Sequence, residues 1–513
     1  MNSSSSDLRR TDTGRPARSC RLWLVCACLL LAGREGVARP ADQPEAPADT
    51  ALASPPRIAP DYVGVVLPPN VAPLNFTIQE AGSEYRLRLS GTQGPALEIR
   101  QLSPGIRFPQ REWQEMLSAN QGTTLRWEIA VRDAAGRWIA HAPFETRVAG
   151  EAIDPYVTYR RLKPLYSTYK HLGIYQRNIE TFDERPILRN EVIGGGCVNC
   201  HTPQQGSPDR FAISFRGRFG TPTLVIDSNR ITRIDSKLGY LAWHPNGRML
   251  AFGDNQITQF FHTAGPNNRD VFDARSDLGV LHLKDQIIEK PAPIARPGQN
   301  ENWPSWAPDG RYLYYCSSPT VAFENVSDFR YDLLRIPYDP EQNLWGEPEV
   351  LLSSAQHQLS FHQPRVSPDG RFLVLTVSAS GSFPLFRSDS NLWLLRLATR
   401  ELEPLPALNS PHAETWHCWS SNGHWLLFGS RRLDGVFARL FITHVDSQAR
   451  FSRPLLLPQE DPDYYQTCLD NFNAPELARG PVQISEEELA RAVDPAGKTD
   501  ASTDTGAPIP YRP

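Results

Sequence analysis

The chain of 513 residues is predicted to be all-β, with an N-terminal β-sandwich followed by a five- or six-bladed β-propeller. Three observations support this prediction. Proline and glycine are frequent, at 46 and 34 residues, and strong helical periodicity is scarce. Short apolar runs alternate with polar residues at a period of two, which is typical of half-buried strands. The C-terminal half also repeats one hairpin sequence at intervals of roughly fifty to sixty residues.

The first 38 residues have the organisation of a secretory signal peptide. Five arginines precede an apolar run at residues 22–32, and Gly36-Val37-Ala38 follows as a small-residue cleavage site. The apolar run is too short to span a bilayer comfortably. We therefore expect a periplasmic or otherwise exported protein whose mature chain has no transmembrane segment. Residues 39–60 are rich in Pro, Ala and Asp and are predicted to form a flexible linker.

Residues 61–150 are predicted to form the β-sandwich, similar in size to an immunoglobulin or fibronectin domain. Leu74–Ile78, Tyr85–Leu89 and Leu125–Val131 each place alternate side chains on an apolar face. Trp113–Leu117 is predicted to be a short helical turn that crosses the strands. A packing or spacer role is favoured here over a carbohydrate- or peptide-binding one.

The strongest chemical motif is the five-residue C-V-N-C-H sequence that begins at Cys197. This spacing lets two thiols bond to the two vinyl groups of a haem while the adjacent histidine reaches the iron. Gly194–Gly196 precede it and would let the chain pass close to a flat ring. A zinc site would need two further ligands nearby, and a thioredoxin-like pair would need a βαβ context. The motif predicts one covalent haem c held by Cys197 and Cys200, with His201 as iron ligand.

The motif ends a connector, residues 151–204, that is rich in tyrosine and basic residues. Such a mixture can bind nucleic acid, but an export signal and a net charge of −4 argue against a nucleic-acid partner. We predict instead an irregular or partly helical segment whose tyrosines pack beside the haem. Arg160 and Arg177 are the basic residues expected near the haem propionates.

Residues 205–460 are predicted to form the propeller. Each repeat is an apolar strand, a turn with Pro-Asp-Gly or a related sequence, and a second apolar strand, which is hairpin chemistry. The turns of four clear repeats lie at Trp243–Arg248, Trp306–Arg311, Ser367–Arg371 and Trp419–His424. A weaker repeat begins near Ser207. These five units predict five blades, or six if the connector adds one. The turn residues are assigned to architecture, because Asp and Asn cap such turns and glycine supplies the positive φ angle.

The repeated turns resemble the Pro-Asp-Gly blades of the TolB-type propeller family over roughly residues 205–460. A sandwich, a Tyr-Arg-rich connector, one C-x-x-C-H motif and such blades together resemble a family of exported bacterial propeller proteins with a cytochrome c domain. This resemblance implies the architecture and a single haem. It implies no particular reaction.

The sixth position of the iron has several candidate ligands. Blade sequence resumes a few residues after His201, which leaves no room for a helical cytochrome domain, and Met249 falls at a core position of a strand. His262 is preferred, because it follows two phenylalanines in a long insertion within the second unit. His244, at a turn position usually held by serine, and His417, just before a blade signature, are the alternatives. The remaining alternative is that no residue of the protein occupies the sixth position of the iron.

The predicted function is a one-electron carrier, or the haem subunit of a periplasmic assembly, with a redox or assembly partner protein. A haem enzyme or gas sensor with an open iron site is one alternative, and a non-redox propeller scaffold that binds protein or glycan is another. The sequence contains no G-x-S-x-G, H-E-x-x-H or phosphate-binding glycine motif that would indicate a hydrolase or transferase, so whether the protein is an enzyme stays open.

Three cysteines remain beyond the motif, namely Cys316, Cys418 and Cys468. An odd number leaves at least one thiol free within the chain, and the sequence cannot choose a pair for a disulfide. Residues 461–513 are predicted to be a C-terminal extension. Its acidic run at Glu486–Glu488 is expected in a surface helix, and the stretch from Asp494 onward is expected to be disordered.

Overall fold

The computed structural model of the protein describes residues 48–164, 170–262 and 269–494, all within one compact unit. The predicted signal peptide, residues 39–47 of the predicted linker, and the C-terminal stretch 495–513 lie outside these ranges, as do Tyr166 and Tyr169. Within the described ranges no helix is both long and apolar enough to cross a membrane. Strands dominate the molecule, as predicted.

The N-terminal region is built from ten strands and one helix. They are β1 (Thr50–Ala51), β2 (Ile58–Ala59), β3 (Val66–Leu67), β4 (Phe76–Ile78), β5 (Glu84–Ser90), β6 (Leu97–Gln101), β7 (Gly105–Ile106), α1 (Gln110–Ala119), β8 (Thr124–Arg132), β9 (Trp138–Ala140) and β10 (Phe144–Val148). A seven-stranded sheet has the order β1-β9-β8-β10-β3, with β5 and β6 joined through β8, and β2-β4-β7 form a second sheet. The predicted helical turn is present as α1, and the sandwich form stays a prediction.

Aromatic side chains fill the core of this region. Trp127 lies parallel to Phe144 with ring centroids 5.5 Å apart, and its indole Nε1 donates to Thr146 Oγ1 at 2.9 Å. Trp113 of α1 donates from Nε1 to the Val71 carbonyl at 2.9 Å. Buried tryptophans with satisfied N–H groups fix the helix against the sheets without an unpaired polar atom.

The C-terminal region is a ring of six sheets. Its strands are, in chain order, β11 (Tyr156–Leu162), β12 (Gly173–Asn178), β13 (Glu184–Arg189), β14 (Cys197–Pro203), β15 (Arg210–Arg216), β16 (Thr223–Asp227), β17 (Arg230–Ile234), β18 (Gly239–Trp243), β19 (Met249–Phe261), β20 (Arg269–His282), β21 (Ile287–Glu289), β22 (Gln299–Trp306), β23 (Tyr312–Pro319), β24 (Asp332–Asp339), β25 (Leu344–Trp345), β26 (Glu349–Leu352), β27 (Ser360–Val366), β28 (Phe372–Ser378), β29 (Asn391–Arg396), β30 (Glu401–Pro404), β31 (Glu414–Trp419), β32 (Trp425–Ser430), β33 (Arg439–His444), β34 (Leu455–Leu456) and β35 (Asn471–Ala478).

These strands form six blades. Blade 1 is β13-β12-β11-β35, blade 2 is β14–β17, blade 3 is β18–β21, blade 4 is β22–β26, blade 5 is β27–β30 and blade 6 is β31–β34. Three further helices are α2 (Ser354–His357), α3 (Tyr464–Thr467) and α4 (Glu486–Val493), and α4 is the helix expected at the acidic run. The inner strands β35, β14, β18, β22, β27 and β31 contact one another in that cyclic order, which closes a β-propeller.

The connector differs from the prediction. It was expected to be irregular or partly helical, whereas its described part supplies β11–β13 and then β14, with one short 3₁₀ turn at Asn190–Ile193. The inner strand of blade 1 comes from the C-terminal segment, since β35 pairs antiparallel with β11. The connector thus supplies the sixth blade, and the last strand of the chain completes it. This pairing joins residues more than three hundred positions apart, which local patterns do not reveal.

The repeated turns have the structural role assigned to them. In blade 5 Asp369 Oδ1 accepts from the Arg371 N–H at 3.0 Å, and Gly370 has a φ of +73°. Asp309 and Asn246 accept in the same way from the residue two positions on. The side-chain oxygen satisfies a backbone donor that the tight turn leaves free, so these residues shape the blades.

Candidate functional site

Every inner strand of the ring carries a two-residue bulge at the same level. The antiparallel register shifts at Asn199-Cys200, Tyr240-Leu241, Trp303-Pro304, Gln363-Pro364, Trp416-His417 and Ala474-Pro475. In five of the six, the first bulge residue has a positive φ between 46° and 55°, which is uncommon for residues other than glycine. A bulge re-aims side chains, and here most of these residues line the channel at the centre of the ring.

The bulges surround a cavity with an open mouth. Its wall holds a group of aromatic residues, Tyr240, Trp303, Phe383, Phe386 and Trp416, and a group of cationic ones, Arg160, Arg216, Lys237, Arg269 and Arg365. All six blades contribute to the wall. An apolar wall with a few charged groups is typical of a site for a large organic cofactor or ligand that carries negative charge.

All three residues of the predicted haem attachment line this cavity. Cys197 begins β14, and its Sγ lies 3.1 Å from Arg160 Nη2 and 2.8 Å from Asn199 Oδ1. Cys200 Sγ accepts from the backbone N–H of Tyr240 at 3.2 Å, and burial raises the pKa of its thiol. Neither cysteine forms a disulfide.

His201 presents a neutral imidazole to the same space. Its side chain is buried, and Nε2 lies 3.1 Å from Thr158 Oγ1 while Nδ1 has no hydrogen-bond partner. Burial, aided by the charges of Arg160 and Arg365, lowers the pKa of His201 to about 4. A neutral ring with one unpartnered buried nitrogen is able to ligate a metal without first losing a proton. The two thiols and this imidazole therefore fit the donor set that a covalent haem c needs.

The glycine run before the motif has a role that the sequence did not indicate. A Cβ on Gly196 would lie 2.3 Å from the Arg216 carbonyl oxygen and 2.7 Å from the Gly217 Cα, and Gly196 has a φ of +103°. Close packing against the end of β15 is thus one reason for glycine at this position. The approach of a flat ring remains a prediction for this segment.

Among the described residues that line the cavity, the histidines are His201 and His417. His417 occupies the bulge of blade 6, its Nε2 lies 2.9 Å from the Val374 carbonyl, and its Nδ1 is buried without a partner. Burial lowers the pKa of His417 to about 3, so this imidazole is also neutral. Of the candidate sixth ligands, His417 is the one that lies in the wall of the site.

The other candidates lie elsewhere. His262 is at the end of β19, where its Nε2 pairs with Asp270 Oδ2 at 2.9 Å outside the cavity wall. His244 Nε2 contacts the Gly310 carbonyl at 3.0 Å, and its Nδ1 accepts from the Asn246 N–H at 3.2 Å. It occupies the turn position that Ser367 holds in blade 5, where the serine hydroxyl instead donates to Asp369 Oδ1 at 2.6 Å. Met249 is buried in the core between blades 3 and 4.

The two arginines expected beside the haem propionates have different positions. Arg160 lines the cavity, 3.1 Å from Cys197 Sγ. Arg177 is buried elsewhere, where it donates to the Pro458 carbonyl and lies near the ring of Phe182. Arg365, which the sequence did not single out, also faces the cavity and pairs with Glu476 at 2.6 Å.

Two features of the site were missed from the sequence. Strands β19 and β20 extend beyond blade 3 as a two-stranded arm, and Ile257, Gln259, Arg269 and Val271 of this arm line the cavity. Lys237 and Asn255 line it as well, and Asn255 hydrogen-bonds to a buried carboxyl group, Asp273, at 3.3 Å. The unusual length of the insertion in the second unit is the sequence signal that could have revealed the arm.

Asp273 is expected to make the stability of the protein depend on pH. Burial raises the pKa of Asp273 to about 6, although Tyr331, Asn302 and Asn255 donate hydrogen bonds to it. The folded protein thus keeps a proton that the unfolded chain releases near pH 4, so this group makes the free energy of unfolding fall as pH rises from about 4 to about 6. Urea unfolding at several pH values should show wild type losing up to about 3 kcal/mol relative to Asp273→Asn over this range. Parallel curves for the two proteins would contradict the assignment.

Comparisons with known proteins give structural likeness alone. No protein-family model and no curated protein matches this chain. It is similar to the solved structure of TolB from Acinetobacter baumannii, with 11% identity over 72% of this chain and 85% of that chain and a TM-score of 0.41. It is also similar to that of a putative TolB from Agrobacterium tumefaciens, with 14% identity over 62% of this chain and 96% of that chain and a TM-score of 0.37. The β-propeller domain of the Trilobed protease from Pyrococcus furiosus is similar as well, with 12% identity over 66% of this chain and 93% of that chain and a TM-score of 0.34. Identities and TM-scores this low carry no information about activity.

Proposed function

We propose that this protein is an exported carrier of single electrons that holds one covalent haem c in the cavity of its propeller. The observation that carries the proposal is that Cys197, Cys200 and His201 face one cavity whose wall is aromatic and cationic. When bound, the haem supplies an iron that changes its charge by one electron. A redox or assembly partner protein outside the cytoplasm is part of the proposal, because one haem needs a donor and an acceptor.

The residues of the chain would share the work of holding this group. Cys197 and Cys200 would form its thioether bonds, and His201 would ligate its iron. Arg160 and Arg365 would offset the negative propionates, since guanidinium groups pair well with carboxylates. Tyr240, Trp303 and Trp416 would cover the haem and exclude water. Exclusion of water would lower the reorganisation energy of electron transfer.

His417, which lies in the cavity wall, decides between the two redox functions. It would supply a second imidazole to the haem, which suits electron transfer. A haem that His417 does not bind would be open to small molecules and would suit the enzyme or gas-sensor alternative. The non-redox scaffold alternative has no observation in its favour beyond the propeller itself.

The test is a pyridine haemochrome spectrum and an intact mass of the full chain, made in a host with the c-type maturation machinery. A c-type band with the added mass of one haem supports the proposal, and a colourless protein of unmodified mass overturns it. In the haem-bearing protein, His201→Ala is expected to keep covalent haem at reduced yield with a changed spin state. His417→Ala is expected to make the reduced iron bind carbon monoxide.

His262→Ala is the matched control, because this exposed histidine lies outside the cavity wall. Its absorption spectrum is expected to equal that of wild type. A changed spectrum for His262→Ala beside an unchanged one for His417→Ala would assign the sixth ligand to the arm instead of blade 6.

A further inference from the structure

A second cluster of potential metal ligands lies outside the cavity wall, at strand ends of blade 6. Glu151 precedes the first strand of the ring, His424 is in the turn between β31 and β32, and His444 ends β33. One ligand atom from each of the three lies within 4.8 Å of the others. His444 Nε2 and Glu151 Oε2 are 3.3 Å apart, and the His424 and His444 rings are nearly parallel at 6.3 Å.

The spacing suits a small divalent ion. Zinc bonds of about 2.0–2.2 Å in a tetrahedral shell place neighbouring ligand atoms about 3.3–3.5 Å apart. The His444 to Glu151 separation of 3.3 Å already has this value. No two of the three ligand atoms are more than 4.8 Å apart, so the closure needed is at most about 1.5 Å, which side-chain rotation can supply.

The backbone beneath the three side chains is held by hydrogen bonds. Trp425 Nε1 donates to the Glu151 carbonyl at 3.0 Å, and Trp425 is the direct cross-strand neighbour of His444. The N–H of Val445 donates to the His424 carbonyl at 2.8 Å, which ties the two histidine-bearing segments together. Ligands that project from rigid, mutually bonded segments lose little conformational freedom when they bind a metal ion.

A simple surface ion pair explains this cluster less well. Other histidines of the described chain pair with a single carboxylate, as His282 does with Glu289 at 3.1 Å, and no third ligand joins them. Only at Glu151 do two imidazoles converge on one carboxylate among the residues that the structure describes. Two histidines and one carboxylate form a recurrent set for transition metals that leaves coordination positions open for water.

We propose that Glu151, His424 and His444 bind one divalent transition-metal ion of the zinc class, with water completing its shell. The ion would fasten the segment that leads from the N-terminal region into the ring to the last blade. This site is independent of the haem proposal, because it shares no residue with the central cavity. Its consequence is that metal ions stabilise the junction between the two regions.

The test is a calorimetric titration of zinc chloride into the chelator-treated full-length protein, together with thermal unfolding. One saturable site and a metal-dependent rise in Tm are expected. His424→Gln and His444→Gln should each weaken binding at least about 100-fold and remove the rise in Tm. His282→Gln is the matched control, since it alters a histidine–carboxylate pair with no third ligand, and should bind as wild type does.

His424→Gln is the decisive variant, because its side chain lies in a partly exposed turn and its loss should leave the fold intact by circular dichroism. The absence of saturable zinc binding in wild type would overturn the proposal. An affinity unchanged in both histidine variants would also overturn it, because zinc would then be bound elsewhere, for instance at the free thiol of Cys468.

Discussion

Replacement of both Cys197 and Cys200 by serine is expected to yield a folded but colourless protein without covalent haem. Serine hydroxyls do not add to haem vinyl groups under the conditions at which thiols do, so no bond to the chain can form. Serine is also close in size to cysteine, so β14 should keep its pairing with β15. The measurements are an intact mass, a denaturing gel stained for haem, and a circular dichroism spectrum.

Cys468→Ser is the control for this experiment. Cys468 is also a free thiol and is only partly buried, but it lies outside the cavity wall. It should retain the full haem content of wild type. Covalent haem in the Cys197→Ser/Cys200→Ser protein would contradict the assignment of the attachment site, and equal loss in Cys468→Ser would point to a general folding defect.

Truncation of Phe472 to alanine is expected to lower the free energy of unfolding by about 3–5 kcal/mol. Phe472 is buried on the closing strand β35, and its ring packs edge-on against Tyr159 of β11 with centroids 5.3 Å apart. It also belongs to the core that joins the N-terminal region to blades 5 and 6. Loss of the ring leaves a cavity at the seam where β35 pairs with β11 and completes blade 1.

Leu469→Ala is the matched comparison, because Leu469 lies three residues earlier and is 61% exposed. Its free energy of unfolding should stay within about 0.5 kcal/mol of wild type. Chemical denaturation of both variants measures the difference. Similar losses, or none in Phe472→Ala, would mean that the seam contributes little to the stability of the ring.

The parts of the fold that were predicted correctly are those coded by short segments. The turns at Asn246, Asp309 and Asp369 allow blades to be predicted from the sequence, because one side-chain oxygen and one glycine specify each hairpin locally. Blade 1 lacks such a turn, and its inner strand lies at the other end of the chain. The Thr158 hydroxyl donates to the Glu476 carbonyl across 318 residues of sequence, a relation that no local pattern contains.

The candidate site also contains parts that the sequence could predict and parts that it could not. The C-x-x-C-H motif could be recognised because its spacing is local. The position of His417 in the cavity wall could not be predicted, because strict alternation along β31 does not anticipate the bulge that turns Trp416 and His417 toward the cavity. His262 was preferred for its aromatic neighbours, but those neighbours lie on an arm whose length and direction depend on tertiary pairing. That a histidine of this chain ligates a haem iron stays a prediction.

For a chain that is exported unfolded and receives a haem, as proposed above, the position of the closing strand would set an order of events. β14, with Cys197 and Cys200, would cross the membrane before β35, while the ring is still open. In the finished ring Cys197 is only 3% exposed, which would bar a haem-attaching enzyme from its thiol. We therefore expect attachment to precede closure, so that the cavity assembles around its cofactor and the last strand seals it in place.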